Sequence, residues 1–205
     1  MCTSSLSLKR KVAREAANLL YSGTETEYKQ AKIKAAEIFG TSFFPTNLEV
    51  AVELDKIAEA HEGPRRQEQL ILKRREALQI MKLLATYNPL LVGSVWRGTA
   101  HHNSDIDIIL QHDEPNDILK VLKEGDMQIR QAEWVGVTKE GRKRESFHIH
   151  LESPPEETIE LIVRSLDEAQ LNEKCEIYGD IVTGLNTQEL EEVLENDPVR
   201  RFVPF

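Results

Sequence analysis

The chain has 205 residues, of which 40% are hydrophobic and 30% are charged, and its formal net charge at pH 7 is −9. This composition is typical of a globular protein, and the length is enough for a buried core in one or two domains. The two cysteines exclude a disulfide framework, and no stretch approaches the roughly 18 apolar residues of a membrane span. Because the N-terminus also lacks an apolar secretion segment, we expect a cytoplasmic protein with no membrane partner.

The first part of the chain has the hydrophobic spacing of α-helices. We predict one helix over 9–21, and two further helices that open with Thr-x-x-Glu capping boxes at 24–27 and 46–49. Pro64 suits the first turn of a fourth, long helix. Together these segments predict a small helical bundle.

Charge is distributed unevenly along the chain. Residues 1–90 carry 14 Lys or Arg against 11 Asp or Glu, whereas residues 91–205 carry 12 against 24. The acidic second half favours cation binding and disfavours nonspecific nucleic-acid binding there. The basic clusters at 9–11, 65–66 and 73–75 are either a nucleic-acid surface or solvated helix faces. Interleaved glutamates and the lack of interleaved aromatic residues favour solvated faces.

Two apolar runs separated by a polar loop are the most informative part of the sequence. The first, at 90–92, ends at a Gly-Ser pair, and the second, over 105–110, has the short, β-branched character of a strand. Side chains alternate between the faces of a strand, so Asp105 and Asp107 point to one side. Their Cα atoms are expected to lie about 6–7 Å apart.

This pattern has a clear chemical use. Two carboxylates on one face repel each other, and a hard cation such as Mg²⁺ offsets that cost while sharing its ligand shell with phosphates. A glycine at position 93 permits a tight turn, and successive N–H groups with the Ser94 hydroxyl form an anion site of phosphate size. The residues therefore predict a phosphate holder and a metal holder separated by one loop.

The same residues carry a resemblance to a known family. A Gly-Ser pair is followed, after ten residues, by Asp-x-Asp, and an Arg-Gly pair and a serine lie between them. These motif residues are Gly93, Ser94, Arg97, Gly98, Ser104, Asp105 and Asp107. This resembles the polymerase-β-like nucleotidyltransferase superfamily, in particular its minimal type, although Trp96 replaces a residue that is usually small. The resemblance implies an α+β nucleotidyltransferase fold with a mixed β-sheet. We therefore predict a helical domain over 1–88 and a nucleotidyltransferase domain over 89–205.

The resemblance also implies an activity. It is the transfer of a nucleoside monophosphate from a nucleoside triphosphate, with ATP expected, to an acceptor, with Mg²⁺ or Mn²⁺ as cofactor and pyrophosphate as product. Asp105 and Asp107 are then catalytic metal ligands. The nucleotide-binding candidates are Gly93, Ser94, Arg97 and Ser104. Arg97 has an alternative role, a salt bridge to an aspartate of the site.

Beyond the motif we predict a helix, three strands and a final helix, over 116–124, 128–138, 146–151, 158–163 and 187–195. Turns at 138–143 and 153–155 separate the strands. In the family fold a later strand supplies a third acidic ligand, and Glu160, a lone charge between apolar neighbours, is the best match. The family more often has aspartate there. A surface-facing Glu160 is the alternative, with Glu152 as the fallback ligand.

Four histidines are candidate contacts. His101 and His102 lie in the loop before the Asp-x-Asp pair, near the expected nucleotide or acceptor. His148 and His150 alternate with apolar residues and either line the nucleotide pocket or occupy the wet face of the sheet, and the second interpretation is favoured.

The sequence leaves the acceptor open among RNA, a partner protein and a small molecule. The helical domain is a candidate for acceptor binding or for homodimer formation. A second class of function is also open, a noncatalytic nucleotide- or partner-binding module on the same fold, such as an antitoxin. The intact Asp-x-Asp pair argues against that module, and the glutamate at position 160 is its only support.

Overall fold

The computed structural model describes residues 2–139, 142–153, 157–168 and 173–204, which form an α+β fold. The α-helices are α1 (Cys2–Tyr21), α2 (Tyr28–Ile38), α3 (Asn47–Glu62), α4 (Pro64–Leu83), α5 (Gly93–Arg97), α6 (Pro115–Glu124) and α7 (Thr187–Asn196). The strands are β1 (Leu90–Val92), β2 (Ile106–Gln111), β3 (Gln128–Lys139), β4 (Arg142–Ser153) and β5 (Glu157–Arg164). The turns predicted at 138–143 and 153–155 lie partly outside the described residues. No helix in the described part of the chain is long and apolar enough to cross a membrane.

Two of the predicted helix starts are confirmed. At the start of α3, the Thr46 hydroxyl accepts the Glu49 N–H at 3.2 Å, and the Glu49 carboxylate accepts the Thr46 N–H at 2.7 Å. Pro64 occupies the first turn of α4, where its missing N–H costs nothing. These starts depend on residues within one helical turn, which is why the sequence reveals them.

The predicted start of α2 is wrong. The helix begins at Tyr28, and its N-cap residue, Glu27, makes no side-chain capping bond. Thr24 lies instead in the turn after α1, where its hydroxyl is 2.9 Å from that of Ser22. The chain uses these residues to reverse direction between the two helices.

The five strands form one mixed sheet in the order β1-β2-β5-β4-β3. β2 and β5 are parallel, and the other neighbouring pairs are antiparallel. The predicted α+β fold with a mixed sheet is confirmed. Two local predictions need correction, since the residues after β1 form the short helix α5 rather than loop, and β2 begins at Ile106, one residue after Asp105.

The apolar residues form two separate cores. One joins the sheet to α4, α6 and α7, and it includes Met81, Leu84, Ile106 and Ile108. The other lies within α1–α3 and consists mostly of alanines, which allow close helix approach. The cores therefore divide near Gly63, between α3 and α4, while the predicted domain boundary at residue 88 stays a prediction.

Buried arginines hold these parts together. The fully buried Arg74 of α4 donates to four main-chain carbonyls, those of Val95 (3.1 Å), Trp96 (2.9 Å), Pro198 (2.7 Å) and Arg200 (2.8 Å). One guanidinium thus joins α4 to α5 and to the C-terminal segment.

Arg66, at the start of α4, has a similar role. It donates to the carbonyls of Ala100 (2.8 Å) and Thr99 (2.9 Å), and it pairs with the Asp55 carboxylate at 2.7 Å. The interpretation of the basic clusters as solvated faces is therefore wrong for three buried residues, Arg66, Lys73 and Arg74, although Arg65 and Arg75 are exposed.

Candidate active site

A cleft of about 510 Å³ lies between the helices α1–α3, the end of the sheet and the segment 173–182. Gly93, Ser94, Asp105 and Asp107 line one wall. The cleft volume is within the usual range of small-molecule sites, about 300–1,000 Å³. The predicted motif therefore faces a cavity large enough for a ligand.

The central acidic residues lie on neighbouring strands. Asp107 on β2 is directly opposite Glu160 on β5 in the parallel register, so their side chains share one face of the sheet. Glu160 also pairs across the antiparallel register with His150 on β4. Glu152 is exposed, and its carboxylate lies 3.7 Å from Arg130. The register thus places Glu160, and not Glu152, beside Asp107.

Gly93 is required by the position of Asp107. Its φ is +70°, a conformation that side chains other than glycine rarely adopt. A Cβ atom at this position would also collide with Oδ2 of Asp107 and lie 2.9 Å from its Cγ. Because the carboxylate packs against the glycine backbone, the Gly-Ser and Asp-x-Asp parts of the motif are in contact.

The three carboxylates disfavour one another's charge. Burial, Glu160 and Asp105 raise the pKa of Asp107 from its usual value of 3.8 to about 7. Burial and Glu160 also raise the pKa of Asp105, although Lys73, His150 and Thr158 partly oppose this. An all-oxygen set in which like charge raises the pKa of both aspartates fits a hard divalent cation such as Mg²⁺ or Mn²⁺.

Glu160 has a hydrogen-bond partner that the sequence did not predict. Its Oε1 lies 2.6 Å from Nδ1 of His148, whose Nε2 lies 2.8 Å from the Ser146 hydroxyl. The second histidine, His150, is 3.9 Å from the same oxygen. Side-chain alternation along the strand predicted both histidines on the solvent-exposed face of the sheet. The acidic residues lie on that same face. Among the described residues, the donor atoms of Asp105, Asp107 and Glu160 do not all converge to within 4.8 Å.

Arg97 is bound within the protein. Its guanidinium donates to both carboxylate oxygens of Asp180, at 2.7 and 3.1 Å, and to the Phe202 carbonyl at 2.9 Å. It is also sandwiched between the rings of Trp96, at 4.3 Å, and Tyr178, at 4.5 Å. The arginine thus forms a salt bridge, but to an aspartate outside the Asp-x-Asp pair. Trp96 is buried in this stack.

The remaining predicted residues lie in the loop that leads to β2. The Ser104 hydroxyl accepts the His101 N–H at 3.0 Å, which closes a turn of the loop. His101 lines the cleft, and burial lowers its pKa to about 4, so the imidazole is neutral at pH 7. His102 is exposed and contacts Glu62 of α3. The roles of the predicted site residues in binding and catalysis stay predictions.

Several residues that line the cleft were not predicted. Tyr28 and Asp55 come from the helical bundle, and Tyr178 comes from the segment after β5. Burial raises the pKa of both tyrosines, so their hydroxyls stay protonated. No local pattern marks them, because they reach the cleft only through packing of distant segments.

Comparisons with known proteins agree with the motif. A family model described as "Nucleotidyltransferase domain" matches residues 74–176, half of the chain. A comparison with curated protein sequences found no match.

Similar solved structures include the Cid1 poly(U) polymerase bound to MgATP (16% identity, TM-score 0.32, 46% of this chain and 32% of that chain). A cytoplasmic RNA terminal U-transferase is 15% identical over 57% of this chain and 34% of that chain, with a TM-score of 0.29. The GLD-2/RNP-8 complex contains a chain that is 14% identical over 60% of this chain and 44% of that chain, with a TM-score of 0.34. This chain spans less than half of each matched chain, and similarity at these TM-scores is too distant to support an argument about its site.

Proposed function

This chain belongs to the nucleotidyltransferase domain family, and on that premise we propose that it transfers a nucleoside monophosphate from a nucleoside triphosphate to an acceptor. Pyrophosphate is the other product, and ATP is the expected nucleotide. The observation that carries the proposal is the packing of Asp107 between Gly93 and Glu160 at the wall of the cleft. Carboxylates whose charges oppose one another are expected where a bound cation offsets the repulsion.

In this proposal each group of site residues has a separate role. Gly93 and Ser94, which line the cleft, would present backbone N–H groups and a hydroxyl to the triphosphate. Asp105, Asp107 and Glu160 would hold Mg²⁺ or Mn²⁺, which when bound supplies positive charge for the phosphates and the leaving pyrophosphate. Glu160 is also the candidate base for the acceptor hydroxyl, since its carboxylate is held by His148. Arg97 orders α5 through Asp180 in this proposal and does not bind phosphate.

The acceptor contacts the helical bundle in this proposal, because α1–α3 supply the wall of the cleft opposite the carboxylates. RNA, a partner protein and a small molecule are the acceptor classes to distinguish. The cytoplasmic location and the homodimer expected from the sequence stay predictions.

The test is incubation of the full chain with α-³²P-labelled nucleoside triphosphates and Mg²⁺ or Mn²⁺ in a cleared lysate. We expect metal-dependent label on RNA, a protein band or a small molecule. The label should disappear with Asp105→Asn/Asp107→Asn and persist with Asp167→Asn, which replaces an exposed aspartate outside the site. Label that persists with the double variant would contradict the proposal.

One observation favours a second function, a noncatalytic nucleotide-binding module. The Glu160 carboxylate is already engaged by His148 at 2.6 Å and does not converge with both aspartates. Metal-dependent nucleotide binding without label transfer to any acceptor would favour this module. His148→Ala removes the partner that holds Glu160. In a binding module this variant should leave nucleotide binding unchanged, whereas in a transferase it should reduce label transfer, because a catalytic Glu160 loses its orientation.

A further inference from the structure

A second cluster of metal-ligating side chains lies outside the carboxylate site. It consists of Glu62, the last residue of α3, and of His101 and His102 in the loop before Asp105. One donor atom from each of the three side chains lies within 4.8 Å of the other two. Among the described residues, no other group of three His, Cys, Asp or Glu meets this distance. We propose that Glu62, His101 and His102 bind one Zn²⁺ ion that joins the helical bundle to the loop carrying Asp105.

The distances suit a small metal ion. Oε1 of Glu62 is 3.1 Å from Nδ1 of His102. Two ligand atoms that are each about 2.1 Å from Zn²⁺ in a tetrahedral site lie about 3.4 Å apart. The pair is therefore already close to the spacing that a shared zinc ion requires, and a ligand atom of His101 lies within 4.8 Å of both partners.

The type of ligand selects the class of metal. Two imidazoles and one carboxylate form a borderline set that favours Zn²⁺ and related transition metals. The carboxylates around Asp107 form an all-oxygen set, which favours Mg²⁺. Three protein ligands also leave a fourth position for water or a ligand, on a cluster whose His101 lines the cleft.

Surrounding residues hold the three ligands in place. The centroid of the Tyr21 ring lies 4.6 Å from that of His102 and 5.7 Å from that of His101, so the tyrosine packs against both imidazoles. The Ser104 hydroxyl fixes the His101 backbone. Such outer contacts orient metal ligands and reduce the entropy lost on binding.

The nearby positive charges are Arg66 and Lys73. Arg66 is paired with Asp55 at 2.7 Å and Glu59 at 3.4 Å, so its charge is largely offset. The Lys73 charge also acts on Asp105, which lies on the other side of the loop. Neither cation prevents a divalent ion from approaching Glu62.

The test uses the full chain with Mg²⁺ in excess, so that the carboxylate site is occupied while Zn²⁺ is titrated against a chromophoric chelator. We expect one equivalent of Zn²⁺ to bind to the wild-type chain. Its affinity should fall at least about tenfold in His101→Ala, His102→Ala and Glu62→Gln. A matched control is His112→Ala, since His112 forms a 3.1 Å pair with Asp117 and is part of no three-residue group.

Two further measurements keep the proposal open to contradiction. Circular dichroism without metal checks that each variant folds. Co²⁺ substitution should give the absorption bands of a tetrahedral site in the wild type and in His112→Ala, but not in the variants of the three ligands. Asp105→Asn/Asp107→Asn should retain Zn²⁺ affinity. The proposal is overturned by absence of Zn²⁺ binding, by equal binding in His101→Ala and His112→Ala, or by loss of binding in the Asp double variant. It does not depend on the proposed transferase activity, because the readout is metal binding alone.

Discussion

Two regions of this chain bury charge, and they treat it in opposite ways. At the junction of α4, α5 and the C-terminal segment, the guanidinium of Arg74 meets four carbonyl oxygens. At the cleft, Asp107 meets Glu160 and Asp105, whose charges oppose its own. The protein gives the first group hydrogen-bond acceptors on every side and surrounds the second with charge of its own sign.

The comparison separates charges that stabilise the fold from charges that serve a site. A buried arginine whose guanidinium nitrogens all donate to carbonyls supports the folded state. Removal of its side chain destabilises the fold, because buried carbonyl acceptors are left without donors. Neighbouring carboxylates that raise the pKa of one another's aspartates cost stability at neutral pH until a cation binds.

Replacement of Arg74 should have the largest effect. Arg74→Met leaves the carbonyls of Val95, Trp96, Pro198 and Arg200 without their donor, so we expect the free energy of unfolding to fall by about 3–5 kcal/mol. Urea denaturation measures this change. Arg75→Met is the control, because Arg75 is exposed and its replacement should change stability by less than about 0.5 kcal/mol. Equal losses of unfolding free energy in the two variants would show that the carbonyl contacts of Arg74 do not stabilise the fold.

Replacement of Gly93 should damage the site more than the fold. Gly93→Ala drives a Cβ atom into the Asp107 carboxylate, so we expect nucleotidyl transfer to fall by about 100-fold. The variant also carries an unfavourable φ of +70°. Gly40→Ala is the matched control, since Gly40 has a φ of +58° and no neighbouring atom within 4 Å of the added Cβ. If both variants lose stability alike, and only Gly93→Ala loses activity, the collision is the cause.

Neutralising Asp107 should stabilise the metal-free chain in a pH-dependent way. With a folded pKa of about 7 and a usual value of 3.8, folded Asp107 retains a proton between pH 4 and 7 that the unfolded chain has lost. Stability therefore falls as pH rises through this window. We expect Asp107→Asn to match the wild type in stability at pH 4 and to be increasingly more stable than it as the pH rises to 8.

Urea denaturation at several pH values measures the difference. Asp167→Asn, at an exposed aspartate, should follow the wild type at every pH. A gain from Asp107→Asn that is the same at pH 4 and pH 8 would show that the carboxylate charge is not responsible.

Addition of Mg²⁺ should have the smallest effect. At ten times its dissociation constant, an ion that binds only the folded chain adds about 1.4 kcal/mol. We expect a rise in Tm at pH 8 for the wild type and for Arg75→Met, but none for Asp107→Asn. Equal shifts with Asp107→Asn would place the ion elsewhere.

Much of the site was predictable because its signals are local. Gly93, Ser94, Asp105 and Asp107 lie within 15 residues, and strand alternation alone puts the aspartates on one face. Alternation also identified Glu160 as the acidic residue that faces Asp107. The role of Arg97 was not predictable in this way, because its partner Asp180 is 83 residues away.

Apart from the short helix α5, the sequence by itself determined the order of helices and strands. It also determined the capping box at Thr46 and the family motif, because each depends on residues a few positions apart. Only the tertiary structure decided which charges are satisfied. Arg74 is next to the exposed Arg75, and nothing local distinguishes them, yet Arg74 meets carbonyls from positions 95 to 200. Such contacts depend on how distant segments pack, and a local pattern carries no information about that packing.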